Sequence, residues 1–285
     1  MLSLHTNNAA LSAKNAIGKT QSNLSTAMTR LSTGYRINNA SDDAAGLQIA
    51  TRLKAQTSGM AMAMKNTQNA TSMLQTASGA FAEVTNMLVR MKDLATQAAD
   101  ASSSKDDQDA MQAEFDALGL ELANVMNNTT FGGTTLMGTT GTLTSSMSFQ
   151  IGASSSETMA VDVSSALSDL TSQLGTVSAN FSGATLGTEV SKASANGTIA
   201  SLADAINKVG IVNSALGATI NRLDHVNSNL SNISTNTESA TGRIMDTDFA
   251  TESASMTSNQ MLLQAGTAML KQSNSMSSLV MSLLQ

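Results

Sequence analysis

Cysteine is absent, so imidazole-based acid–base or zinc chemistry in this chain would have to rest on two histidines, His5 and His225. They stand 220 positions apart, and neither belongs to the HExxH helix motif that brings two imidazoles to one metal. His225 adjoins Val226 in a stretch with helical apolar spacing, where surface or core packing is its expected role. The carboxylates Asp106, Asp107 and Asp109 lack the D-x-D-x-D-G-x5-E order of a calcium loop and read as helix capping. Gly132-Gly133 is followed by neither a Lys nor a helix start, which disfavours a phosphate loop. No G-x-S-x-G elbow exists for a serine nucleophile. The expectation is no catalytic, cofactor-binding or metal-ligating set, and a protein that is not an enzyme.

Composition narrows the remaining classes. The 285 residues contain no Cys, Pro or Trp and only seven aromatics, one Tyr and six Phe. Average usage would give about 14 prolines, so their absence favours long uninterrupted helices. Without Cys there is no disulfide framework and no thiolate metal site. A net charge of −6 with 13% charged residues fits neither a basic nucleic-acid binder nor a highly charged disordered chain. No apolar run reaches the roughly 18 residues of a membrane span. Met1-Leu2-Ser3-Leu4-His5-Thr6-Asn7-Asn8 lacks the basic and apolar regions of a cleavable export signal.

Helical periodicity dominates both ends. Ile17, Leu24 and Leu31 recur every seven residues with Met28 between the last two, and Leu4 and Leu11 make the same step. Ala70, Ala77, Phe81, Val84, Leu88, Met91, Ala95 and Ala98 step mostly by three and four, with Leu74 filling the gap. This is the seam of an amphipathic helix or coiled coil. Phe115, Leu118, Leu122 and Val125 give a further helix. Leu202, Ile206, Val209, Leu216, Ile220, Leu223, Leu230 and Ile233 repeat the seam, and Leu262, Met269, Met276 and Leu283 lie seven apart near the end. Five helical segments are expected. Gly34 suits a left-handed C-cap, Ser41-Asp42-Asp43 an N-cap with two carboxylates in the following turn, and Ser104-Lys105-Asp106-Asp107 a capping-box variant. Gly242 with Asp246, Thr247 and Asp248 separates the last two helices.

The middle changes period. Met147, Phe149 and Ile151 alternate with polar residues, as do Met159, Val161 and Val163, and Gly152–Glu157 between them reads as the turn of a β-hairpin. From about Ser164 to Gly197 the chain is rich in Ser, Thr, Gly and Ala and reads as an exposed tip. The fold class is therefore mainly α: long antiparallel helices in coiled-coil-like bundles, a small β-hairpin region, and N- and C-termini paired. Stripes within 1–40 and 247–285 have no turn that folds either segment onto itself, and an isolated helix is marginal in water. Each must find a partner in the other terminus, in neighbouring subunits or on a membrane. Few Lys or Arg residues on the polar faces disfavour the membrane, and self-assembly is favoured over a single-chain bundle with every stripe internal.

Two long runs then carry a resemblance. Leu31-Ser32-Thr33-Gly34-Tyr35-Arg36-Ile37-Asn38-Asn39-Ala40-Ser41-Asp42-Asp43-Ala44-Ala45-Gly46-Leu47 resembles the N-terminal signature of bacterial flagellins, the subunits of the flagellar filament. Arg243-Ile244-Met245-Asp246-Thr247-Asp248-Phe249-Ala250-Thr251-Glu252, with Gln264-Ala265-Gly266-Thr267 and the closing Ser282-Leu283-Leu284-Gln285, is similar to the other end of that family. Leu4-His5-Thr6-Asn7 and Gly46–Leu53 further resemble its lateral subgroup, used in swarming.

The resemblance implies a structural subunit that self-assembles head-to-tail into an extracellular helical filament for motility. Residues 1–40 with 247–285 would form the inner coiled-coil domain, and 41–175 with 195–246 a helical shell with its β-hairpin at about 131–163. Residues 176–194 would be a short exposed tip. The terminal stripes would order only on assembly, carried by Leu24, Met28, Leu31, Leu262, Met269, Met276 and Leu283. Implied partners are further copies of the chain, flagellar cap and hook-associated proteins and an export chaperone, with type III export by an uncleaved segment; neither nucleic acid nor membrane is a partner. Arg90, Leu94 and Glu114 match positions that Toll-like receptor 5 contacts in some flagellins, with Lys92 and Asp93 departing from the flanking pattern. The alternative within the same resemblance is a hook–filament junction protein.

Overall fold

The computed structural model describes residues 7–183 and 187–283, and side chains as far as residue 275. In chain order its elements are α1 (Asn8–Thr33), α2 (Ala44–Ala98), α3 (Lys105–Asn128), β1 (Thr130–Phe131), β2 (Thr134–Thr135), β3 (Met147–Gln150), β4 (Thr158–Val161), α4 (Ser164–Val177), α5 (Ala195–Met245) and α6 (Phe249–Leu283). Without proline to break them, α2 runs for 55 residues and α5 for 51. Gly242, expected between the last two helices, lies inside α5. Two compact units emerge, one of residues 1–57 with 235–285 and one of residues 58–234. These divisions fall within α2 and α5 and not at the helix breaks near residues 41 and 246.

The unit of residues 58–234 holds the larger core. From Ala70 to Ala98 the expected seam of α2 is buried at every position, with Phe81, Val84, Leu88 and Met91 fully enclosed. Met111, Phe115, Leu122 and Met126 of α3 and Leu202, Val209, Val212, Leu216 and Leu223 of α5 join the same cluster. Leu118, Val125, Ile206 and Ile220 are partly buried against it, whereas Ile233 is exposed. Truncating one of the sealed leucines to Ala would cost about 2–5 kcal/mol. A smaller apolar cluster of Met60, Ala63 and Leu230 lies in the same unit.

Among the described residues its β structure is two small antiparallel hairpins. Strands β1 and β2 turn through Gly132 and Gly133, whose φ values of +58° and +85° suit a type I′ turn. Strands β3 and β4 pair with Met147 opposite Val161 and Phe149 opposite Met159, which sets the four apolar side chains on one face. The turn of this hairpin lies on α2, where a Cβ at Gly59 would stand 2.7 Å from that of Ala153.

The stretch expected to be a tip is more ordered than its composition implied. Leu167, Leu170, Leu174 and Val177, spaced three, four and three, are the buried face of α4, which makes six α-helices among the described residues. Beyond it, Ser178, Asn180 and Val190 are buried as well, so 176–194 is in part a packed segment. The cause is a polar clasp on α3. Gln112 donates from Nε2 to Asp116 Oδ1 at 2.7 Å and to Glu189 Oε2 at 3.0 Å, and its Oε1 accepts the Val190 N–H at 2.8 Å. Glu189 Oε1 also accepts the Ala179 N–H at 2.8 Å. Gly119, one turn beyond Asp116, leaves the room that Ser178 fills.

Candidate functional site

The unit of residues 1–57 and 235–285 is organised by an antiparallel pairing of α1 with α6. On α1 the shielded positions of the seam are Ala10, Ala13, Ile17, Thr20, Leu24, Ala27 and Leu31, with Arg30 also partly shielded; on α6 they are Glu252, Met256, Asn259, Leu263, Gly266, Leu270 and Ser273. Alternating steps of three and four make this a heptad seam. Small residues let the helices approach, as where Gly266 meets Ile17.

Polar ties fix its register. Asn7 Nδ2 donates to the Ser273 carbonyl at 3.2 Å, and Arg30 pairs with Glu252 at 3.7 Å. The Arg36 N–H donates to the Met245 carbonyl at 2.6 Å, the Thr247 N–H to the Gly34 carbonyl at 3.0 Å, and the Arg36 guanidinium to the Ile244 carbonyl at 2.9 Å. Gly34 reaches this bridge through the left-handed C-cap of α1, at φ +76°. The terminal helices thus take each other as partner.

Carboxylates hold the connecting turns. Asp43 is the N-cap of α2, its Oδ1 accepting from the Gly46 N–H at 2.8 Å, so the cap lies two residues later than Ser41. Asp42 accepts instead from the N–H groups of Asn39 and Asn38, which hold its carboxyl below the usual range. Asp248 opens α6: the Thr251 hydroxyl, then the N–H groups of Ala250 and Thr251, hold its carboxyl low as well. In the other unit the Ser104–Asp107 capping box opens α3 as expected.

The seven expected assembly residues divide. Leu24 and Leu31 belong to the seam between α1 and α6. Met28, Leu262 and Met269 face outward, at 49%, 56% and 68% exposure. Leu262 and Met269 each precede a seam leucine by one residue, which turns them about 100° from it around the helix. Leu11, Phe249 and Met261 are likewise about half exposed or more, and the expected set omitted them. Their signal was the same apolar excess on a helix already supplied with a seam. The side chains of Met276 and Leu283, and His5, lie outside the described residues; His225 is exposed on α5. Apolar side chains standing outward on a helix that already has a partner can bury against a second one.

The three residues expected to face a receptor also divide. Arg90 and Glu114 form an exposed pair, with Arg90 Nη2 2.7 Å and Nε 2.8 Å from Glu114 Oε1. Such a pair contributes about 0.2–1 kcal/mol. Leu94 is instead buried, at 2% exposure. It projects from α2 among the apolar residues of the core, so it supports the surface that carries Arg90 and does not form part of it.

Family comparison matches the same two ends. A model described as the bacterial flagellin N-terminal helical region matches residues 4–142, and one described as the bacterial flagellin C-terminal helical region matches residues 199–284. Flagellin A of Vibrio anguillarum is 32% identical over 381 aligned positions that take in the whole of both chains, and Polar flagellin A of Vibrio parahaemolyticus is 31% identical over 99% of each. Among solved structures, a chain described as a flagellar hook-associated protein from Vibrio parahaemolyticus superposes with a TM-score of 0.56. At 16% identity, over 72% of this chain and 100% of the other, it shares the fold alone. With both terminal regions matched and relatives aligned from end to end, the chain belongs to the bacterial flagellins, structural subunits that polymerise into the flagellar filament.

Proposed function

We propose that the paired helices α1 and α6 form the inner layer of the filament and that the outward residues Met28, Leu262 and Met269 carry the contact between subunits. Met276 and Leu283 continue the same seven-residue step along the sequence. The observation behind this reading is the division of apolar residues on α6: Leu263 and Leu270 are shielded by α1, while Leu262 and Met269 are more than half exposed. Transfer of that surface to a neighbouring subunit contributes about 25 cal/mol per Å² of apolar area. A contact that joins different patches on successive copies, with a rotation that closes no ring, propagates as a helix of subunits. Leu24 and Leu31 act one step earlier by holding α1 to α6.

Membership of the family supports a wider set of partners as part of the same proposal. They are the flagellar cap and hook-associated proteins at the filament ends, and an export chaperone that covers α6 before assembly. The proposed route is export through the type III apparatus to an extracellular filament. Leu4–Asn7 and Gly46–Leu53 favour the lateral subgroup. The exposed Arg90–Glu114 pair supports recognition by Toll-like receptor 5, with Leu94 acting from beneath.

Deletion of residues 247–285 tests the assembly reading. The expected product keeps the helical unit of residues 58–234 folded and does not elongate filament fragments in sedimentation. Normal filaments from the truncated chain would overturn the reading. A hook–filament junction protein, the second reading, would not form long fibres alone, whereas this chain is expected to do so in negative-stain images.

A further inference from the structure

Sulfur occurs in this chain only as thioether, in 19 methionines and no cysteine. A mild two-electron oxidant therefore meets methionine, and the fold sorts these residues by access. Met91 and Met137 are sealed in the core, at 0% and 1% exposure. Among the described residues four are about half exposed or more: Met62 on α2, at 54%, and Met28, Met261 and Met269 on α1 or α6, at 49%, 61% and 68%. Susceptibility follows exposure.

We propose that Met269, together with Met28 and Met261, is an oxidation site through which hydroperoxides reversibly block polymerisation. The inference rests on the reading that the outward face of α1 and α6 carries assembly. The thioether sulfur attacks one peroxide oxygen, forming an S–O bond as the O–O bond breaks. Sulfur loses two electrons to the peroxide, whose other oxygen departs with the second proton as water, or as an alcohol from an organic peroxide. The product is a polar, chiral sulfoxide on a flexible side chain. Its oxygen is hydrated on the free subunit and would lose that water at an apolar contact, which is unfavourable without a donor. Burial of the same sulfur within the filament shields it, so the susceptible form is the subunit before assembly. Methionine sulfoxide reductases acting on both epimers restore the thioether.

The test uses the full chain and hydrogen peroxide. Peptide mass mapping should find one added oxygen at Met28, Met261 and Met269 about tenfold faster than at Met91 or Met137. Oxidised subunits should need about tenfold more protein to elongate filament fragments. The two reductases should restore elongation, and peroxide should not lower the elongation of a Met28→Leu, Met261→Leu, Met269→Leu variant below that variant's own untreated level. Undiminished elongation with sulfoxide confirmed at Met269 would overturn the proposal, as would an equal block of the triple variant or no recovery on reduction. Unoxidised Met269→Gln separates the two levels of inference. If it elongates normally, the assembly role of this face fails; if it is blocked while the sulfoxide form elongates, the oxidation site alone fails.

Discussion

Gly266 lies so close to Ile17 that a Cβ at position 266 would stand 2.8 Å from the isoleucine Cγ1. The contact is between helices whose ends are tied by Asn7 to Ser273 and by Arg30 to Glu252, so neither helix can slide to relieve it. Gly266→Ala gains about 1 kcal/mol of helix propensity and forces a branched side chain aside, at about 1–3 kcal/mol. The expected net result is a looser pairing of α1 with α6, read as faster amide exchange along both helices. Ile17→Ala in the same chain, which removes the Cγ1 that the new Cβ meets, should relieve the clash. Unchanged exchange in the single variant would show that the seam repacks freely.

Leu24 and Leu262 are both apolar positions of seven-residue stripes, yet they should fail differently. Leu24→Gln breaks the seam and should lower the helical content of the free subunit as well as its polymerisation. Leu262→Gln removes only outward apolar surface, so the free subunit should keep its circular dichroism while needing more protein to elongate fragments. Identical behaviour of the two variants would contradict the division of faces.

Asp248 makes the start of α6 sensitive to acid. The hydrogen bonds from Thr251 and Ala250 place its folded-state pKa below the unfolded value near 3.9. Its contribution is therefore complete above that value and is lost as pH falls through the lowered one. Amides of Ala250 and Thr251 should keep their exchange protection at about pH 4 and lose it only as pH falls below the ordinary carboxylate range. Asp248→Asn keeps an acceptor and removes that dependence. A wild-type titration with the ordinary carboxylate midpoint would refute the assignment.

Arg90 and Leu94 should separate recognition from stability. Arg90→Ala should leave thermal unfolding nearly unchanged and weaken activation of receptor-bearing cells by the free subunit. Leu94→Ala should cost about 2–5 kcal/mol of stability, with any loss of activation following the loss of fold. Full activation by a folded Arg90→Ala subunit would remove this surface from the candidate contact.

Local sequence alone determined a large part of this molecule. Three-and-four spacing from Ala70 to Ala98 named a buried face before any partner was known, and that face is buried throughout. Gly34 and the Ser104–Asp107 pair likewise declared their caps, because a cap is satisfied by groups within a few residues. Tertiary structure decided what depends on distant partners. A seven-residue stripe says that a helix has an apolar side, but not whether another helix already occupies it; only the pairing of α1 with α6 puts Leu24 inward and Leu262 outward. Leu94 looked equivalent to Arg90 along the chain, and its burial is set by the neighbouring core elements. Helix α4 and the clasp of Gln112 with Glu189 escaped notice because their composition resembles a loop, and the bond that holds them spans 77 residues. Periodicity is a local property of the chain, whereas the side of a helix that meets water is a property of everything packed around it.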